Sequence, residues 1–272
     1  MFNTIGLISK PNDFTSEKTI LKLAEFLNNI AIKTVYDVEK IRSKADLIIV
    51  VGGDGSLLST AREFINDSIP ILGVNLGRLG FLVDVLPQDM YDVIEEVLNK
   101  EFVKEKRNLL SCQVFDNDDE LITKHCAFND VVVHKQESLR MIEFEVYIDD
   151  KFVNSQHSDG LIVSTPTGST AYALSSGGPI MHPELDSVVL VSICPHTLSN
   201  RPLVVSAQSK INIYVNETMG ATVSLDGQIE VVLKPGQYLT ISEHENYVQL
   251  LHPKNYDYFN VIRSKLHWGG KL

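Results

Sequence analysis

The sequence predicts two domains of different class: an α/β domain with a parallel sheet, then a mainly antiparallel, β-rich domain, with the active site in the cleft between them. Three observations predict this. Strand and helix signals alternate through the first hundred residues. The segment 45–51 is nearly all apolar, as a strand covered on both faces is. After about residue 105 the pattern changes to short period-2 segments separated by turn residues.

Residues 4–8 form a short apolar strand. Residues 16–29 carry Ile20, Leu21, Leu23, Ala24 and Leu27 at helical spacing, and Thr15 or Ser16 can cap that helix. Strands are expected at 34–38, 45–51 and 69–74, and helices at 56–65 and 87–100. Repeated β-α-β units imply a parallel sheet with helices on both faces. In 140–148, Ile142, Phe144, Val146 and Ile148 fall on one face and Glu143, Glu145 and Tyr147 on the other, which is a half-buried strand. Further strands are expected at 161–164, 188–193, 210–215, 221–225, 237–242 and 247–251, with turns at Asp149-Asp150, Asp226-Gly227 and Pro235-Gly236. Only 170–176 reads as helical there. The expected boundaries are 1–100, 101–250, and a tail, 251–272, that returns to the first domain.

The 272 residues are 44% hydrophobic and 22% charged, ordinary for a globular chain. No apolar run approaches the roughly 20 residues of a membrane span, and MFNTIGLISK reads as a strand rather than a leader. A net charge of −11 argues against a nucleic-acid partner. It also means that any anionic substrate must be held by backbone N–H groups, local cations or a divalent metal. Cys112, Cys126 and Cys194 are an odd, widely spaced set, which reads as reduced thiols in a cytoplasmic protein.

Three segments carry chemistry. Gly52-Gly53-Asp54-Gly55-Ser56 follows the buried strand, and its glycines let the backbone turn and approach a ligand. A helix follows, so its N-terminus faces the same spot and favours phosphate. Asp54 beside a phosphate site fits a carboxylate that holds a metal or takes a proton during phosphoryl transfer to a hydroxyl; the plain alternative is a helix cap. Neither GxGxxG nor GxxxxGK[ST] is present. In the second segment, Asp159-Gly160 and an apolar strand run into Ser164-Thr165-Pro166-Thr167-Gly168-Ser169-Thr170, a hydroxyl-rich loop that reads as a polar cradle before a helix capped by Ser169 or Thr170, or else as an ordinary capped helix after a turn. The third is Asn129-Asp130, a donor–acceptor pair suited to ribose hydroxyls or an adenine edge, or else a plain turn.

Together these segments resemble the NAD kinase family. Asn75-Leu76-Gly77-Arg78-Leu79-Gly80-Phe81-Leu82, Gly177-Gly178-Pro179-Ile180-Met181-His182-Pro183 and Pro195-His196-Thr197-Leu198-Ser199-Asn200-Arg201-Pro202-Leu203 extend the resemblance, which covers essentially the whole chain. GGDG alone is shared with lipid kinases and phosphofructokinases; TPTGSTAY is far more specific. The resemblance implies transfer of the γ-phosphoryl group of ATP to the 2′-hydroxyl of NAD's adenosine ribose. It implies that Asp54 is the general base with Gly55 beside it, that Asn129 and Asp130 hold the ribose and adenine, and that Asp159 contacts the nicotinamide side. Thr170, Ala171, Tyr172, Ala173, Leu174 and Ser175 would line the dinucleotide pocket. Arg140, His157 and Gln228 fall where the family also has NAD contacts; read alone, Arg140 is a surface cation beside Glu143 and Gln228 a turn residue. A divalent metal, magnesium foremost, would arrive with ATP, and the chain would form a homo-oligomer, possibly a tetramer. The competing readings are a lipid kinase, which should bind membrane, and a non-catalytic dinucleotide sensor, which would not need Asp54.

Overall fold

The computed structural model describes residues 2–77, 80–136, 141–216 and 220–268. The chain divides into two compact units, Met1–Lys106 with Val248–Leu272, and Arg107–Tyr247.

The first unit runs β1 (Thr4–Ser9), α1 (Phe14–Asn29), β2 (Lys33–Val35), α2 (Val38–Lys44), β3 (Leu47–Gly52), α3 (Asp54–Glu63), β4 (Ile71–Asn75) and α4 (Met90–Leu98). Its strands lie in the order β2-β1-β3-β4, all parallel. From β1 the chain moves outward to β2, then returns past β1 to β3. The carboxyl ends of β1 and β3 therefore flank the crevice where such sheets bind ligands. Every residue of β3 is buried. Ile20, Leu23, Ala24 and Leu27 of α1 and Met90, Val93, Ile94 and Val97 of α4 pack on β1, β3 and β4 in one apolar cluster.

Several expectations are corrected here. Leu21 is 69% exposed, because the buried stripe of α1 is narrower than its apolar residues. Asp13, not Thr15 or Ser16, caps α1 by accepting from the Ser16 N–H; the Ser16 hydroxyl instead donates to the Val51 carbonyl and ties the helix to β3. The strand expected at 34–38 stops at Val35, and α2, capped by Asp37, takes its place with Ile41 as its one buried residue. Seven residues with one buried contact show no period that a sequence can reveal. The helix expected from Ser56 begins at Asp54.

The second unit contains β5 (Phe102–Phe115, which enters from the first), β6 (Leu121–Ala127), β7 (Asp130–Lys135), β8 (Ile142–Ile148), β9 (Lys151–Ser158) and β10 (Gly160–Ser164). A 3₁₀ turn (Gly168–Thr170) and the single turn α5 (Tyr172–Ser175) follow, where a longer helix was expected. Then come β11 (Ser187–Ile193), β12 (Leu203–Ser206), β13 (Ile211–Val215), β14 (Ala221–Leu225), β15 (Ile229–Leu233) and β16 (Tyr238–Pro253). The antiparallel sheet β12-β11-β10-β7-β14-β15 contributes Val131, Val133, Leu161, Val163 and Val223 to one core. Antiparallel β9-β8-β13-β16 contributes Ile142, Phe144, Val146, Ile213 and Ile241 to the same core. The alternation in β8 thus points as its side chains predict.

Both residues of the Asp149-Asp150 and Asp226-Gly227 turns have positive φ, which two-residue hairpins of type I′ require. The strands expected at 237–242 and 247–251 are one strand, β16. Its first residues pair with β13, while Leu250 and Leu251 pair in parallel with β4. The helix α6 (Tyr258–Leu266) closes the first unit's share of the chain.

Candidate functional site

In the first unit, Gly52 ends β3 with no room for a side chain: a Cβ there would lie 2.5 Å from the Ser56 hydroxyl. Gly53 is the N-cap of α3 and makes no side-chain capping bond, and a Cβ there would meet nothing within 4 Å. The helix start is therefore uncovered on that side, next to the exposed Gly55. Asp54 is the first helical residue and is half-buried. It does not cap its own helix, which overturns the plain alternative for this residue. Its Oδ2 accepts from the Phe81 N–H at 2.9 Å, and its Oδ1 accepts from the Leu82 and Val83 N–H groups, each at 3.1 Å. A carboxylate offers about four acceptor sites, two on each oxygen. Among the described residues Oδ1 is filled and one site on Oδ2 stays open. Gly80 allows this approach, since a Cβ there would stand 2.0 Å from Asp54 Oδ1. Asn75 shapes the same segment: its Oδ1 accepts from the Gly77 N–H at 2.7 Å and its Nδ2 donates to the Val83 carbonyl at 3.3 Å. Arg78 and Leu79 lie outside the described residues.

The second unit holds a cavity of about 580 Å³. Of the expected residues, Asn129, Asp130, Asp159, Ala171 and Tyr172 line it. Thr170, Ala173, Leu174, Ser175, His157 and Gln228 do not. The Thr170 hydroxyl donates to the Thr167 carbonyl. Ala173 is buried in an apolar cluster with Val132, Ile162 and Met181. Leu174 is half-buried and Ser175 exposed. His157 is 59% exposed on β9, with Nε2 3.5 Å from the Glu143 carboxylate. The Gln228 N–H closes the β14–β15 turn on the Leu225 carbonyl. Arg140 lies outside the described residues.

The hydroxyl loop is not the cradle its composition suggests. Ser164, Thr165, Thr167 and Ser169 are all buried. The Thr165 hydroxyl donates to the Phe128 carbonyl at 2.8 Å and to that of Asn129 at 3.2 Å, and the Ser164 hydroxyl reaches the Asn129 carbonyl at 3.3 Å. A Cβ at Gly168 would lie 2.2 Å from the Asn129 carbonyl oxygen. Ser169 donates to the Pro166 carbonyl and accepts from the Met181 N–H, while Arg107 donates to the Thr167 hydroxyl at 3.1 Å. Neither Ser169 nor Thr170 caps the turn that follows. The loop's polarity serves to fix the backbone of Asn129 from behind.

Among the lining residues that sequence reasoning missed, two carry charge, Lys135 and Asp226. The Asp226 carboxylate accepts from the N–H groups of Phe128, Asn129 and Asp130, at 3.0, 2.7 and 3.2 Å. It therefore holds from in front the segment that the hydroxyl loop holds from behind. Asp226 read only as a turn residue, and nothing local shows that its carboxylate reaches back to residue 128. Lys135 pairs with Asp159 at 2.7 Å; a lone cation ending the apolar run Val131-Val132-Val133 was the available signal. Asp130 is 4% exposed, and burial, then the charge of Asp226, raises its pKa to about 7. The folded chain therefore holds this proton more tightly than the unfolded chain does, and raising the pH from about 4 towards 7 reduces stability.

Among the described residues no group of three or more His, Cys, Asp or Glu side chains is disposed to hold a metal, and no helix is long and apolar enough to cross a membrane. Among the described residues Cys112, Cys126 and Cys194 are thiols that form no disulfide.

Family models match both parts of the chain: the ATP-NAD kinase N-terminal domain at residues 27–102 and the ATP-NAD kinase C-terminal domain at 128–252. The NAD kinase of Teredinibacter turnerae is 45% identical, covering 98% of this chain and 97% of its own. That of Chromohalobacter salexigens is 46% identical, covering 100% and 98%. Among solved structures, an NAD kinase from Archaeoglobus fulgidus in complex with ATP superposes with a TM-score of 0.80 at 28% identity, over 97% of this chain and 98% of that one. Yeast NADH kinase complexed with NADH shares the fold, with a TM-score of 0.90 at 22% identity over 99% and 89%.

Proposed function

The chain belongs to the ATP-NAD kinase family, and from that premise we propose that it moves the γ-phosphoryl group of ATP onto the 2′-hydroxyl of NAD's adenosine ribose, giving NADP and ADP. The observation that carries the chemistry is Asp54: a carboxylate at the carboxyl end of a buried strand, held by three backbone N–H groups, with one acceptor site of Oδ2 open among the described residues. Asp54 is the general base, and Oδ2 takes the hydroxyl proton as the oxygen attacks phosphorus. Gly55 and the start of α3 receive phosphate. ATP arrives as its magnesium complex, a reading supported by the anionic chain, whose net charge is −11.

Asn129 and Asp130 hold the adenosine portion of NAD, and Asp159, Ala171 and Tyr172 complete the pocket; their common place on one cavity supports this. The odd, widely spaced set Cys112, Cys126 and Cys194 supports a cytoplasmic enzyme. The family resemblance points to a homo-oligomer, and the edge strand β12, where Leu203 and Val204 are 39% and 48% exposed, offers a surface for one.

Asn129→Ala and Asp130→Ala test the pocket. Losing one such hydrogen-bond partner costs about 1.5–3 kcal/mol, so NAD affinity should fall roughly 10- to 150-fold. The ionised Asp130 accepts hydroxyl hydrogen bonds best, so native affinity should rise as pH passes through about 7. That rise should be absent from Asp130→Ala. Calorimetric titration of NAD across this range reads both effects, and unchanged affinity in both variants contradicts the assignment.

A further inference from the structure

The first unit contains a buried charged cluster that the chemistry above does not use. His252 is 1% exposed near the end of β16. Its Nδ1 lies 2.9 Å from Asp84 Oδ2 and its Nε2 3.1 Å from Glu105 Oε2, and those two side chains are only 8% and 10% exposed. The ring stacks on Tyr256 at 3.9 Å and 13°. With a carboxylate oxygen facing each ring nitrogen, the geometry favours a ring that donates from both, an imidazolium. Burial pushes the ring towards its neutral form, but the hydrogen bonds and charges of Asp84 and Glu105 outweigh it, and its pKa lies above the usual value. Buried ionic clusters of this kind seldom add net stability over apolar packing of the same size, and removing one member strands the others. Asp84 is especially exposed to that loss, because its Oδ1 is buried with no partner among the described residues.

The position of Asp84 gives the cluster a task. It directly follows Phe81, Leu82 and Val83, whose N–H groups grip Asp54. The other end of that segment is closed by the Gly80 N–H on the Val83 carbonyl at 2.9 Å. Where a backbone N–H points is set by the backbone on either side of it. Resting on the reading of Asp54 as the base, we propose that the Asp84–His252–Glu105 triad positions Asp54, by fixing the Phe81–Val83 backbone that aims its carboxylate. His252 is thus a positioning residue that acts through Asp54 and touches neither substrate.

The test is a double-mutant cycle. His252→Gln removes the imidazolium and cannot bond both carboxylates. It should lower kcat about 10- to 100-fold, as a misaimed catalytic group does, with KM for NAD and ATP little changed. In the Asp54→Asn background the same change should lower kcat by less than about twofold, since the group being aimed no longer acts. If His252→Gln does not fold, Asp84→Asn, which leaves His252 an oxygen to bond, takes its place in the cycle. Melting temperatures are read on each variant. An equal loss in both backgrounds, or native kcat in the single variant, overturns the triad's role while leaving Asp54 as the base. Near-native turnover of Asp54→Asn alone overturns the reading of Asp54 itself, whatever the His252 variants do.

Discussion

Asp54→Asn is expected to lose at least about 100-fold in turnover, within the range of about 10²–10⁴ that general-base catalysis contributes. A ribose hydroxyl is a poor nucleophile, and Asn keeps the shape of Asp without its basic oxygen or its charge. Asp and Asn cap helices about equally well, so a mere cap would tolerate the change; the structure shows no capping bond from this side chain in any case. The Asn oxygen can still accept from Leu82 and Val83, while its amide faces the Phe81 N–H, which loses its acceptor. That loss costs about 1–3 kcal/mol and should lower the melting temperature modestly without unfolding the chain. Affinity for NAD should persist, because Asn129, Asp130 and Asp159 are untouched. Turnover, NAD affinity and melting temperature measured on this one variant separate the roles. Near-native turnover would return Asp54 to a structural part, that of anchoring residues 81–83.

Removing divalent ions should abolish turnover. Both substrates are anionic and the chain carries a net charge of −11. Among the described residues the cavity offers Lys135, and that cation is already paired with Asp159. Under the proposed reaction, an ion that travels with ATP shares with the N-terminus of α3 the charge developing on the transferring phosphoryl group. Turnover in excess chelator should fall to background and return on adding magnesium. Full turnover without any divalent ion would contradict this.

What the sequence shows and what it hides follow from the range of the interactions. The strands β3 and β4 and the alternation of β8 are legible because burial imprints a period on contiguous residues. The GGDG and TPTGSTAY segments are legible because glycine and hydroxyl clusters are rare inside ordinary elements. Composition misleads about what the hydroxyls do: Ser164, Thr165 and Ser169 face inward and fix backbone rather than a ligand. The longer-range contacts leave no local mark. Asp54 meets residues 27 to 29 positions away, Asp226 holds an N–H 98 positions back, and His252 joins Asp84 across 168 positions. Asp226, read alone, looks like a turn residue, and nothing near Asp84 or His252 in the sequence marks their pairing.

The central claim, phosphoryl transfer to NAD, is tested most directly by following ADP release from ATP and magnesium with NAD, diacylglycerol vesicles or no acceptor present, and locating the phosphate in the product. Release should depend on NAD, match it mole for mole, and leave a monophosphate on the 2′-oxygen of the adenosine ribose. ADP release driven by the lipid, or NAD recovered unphosphorylated, would contradict the account.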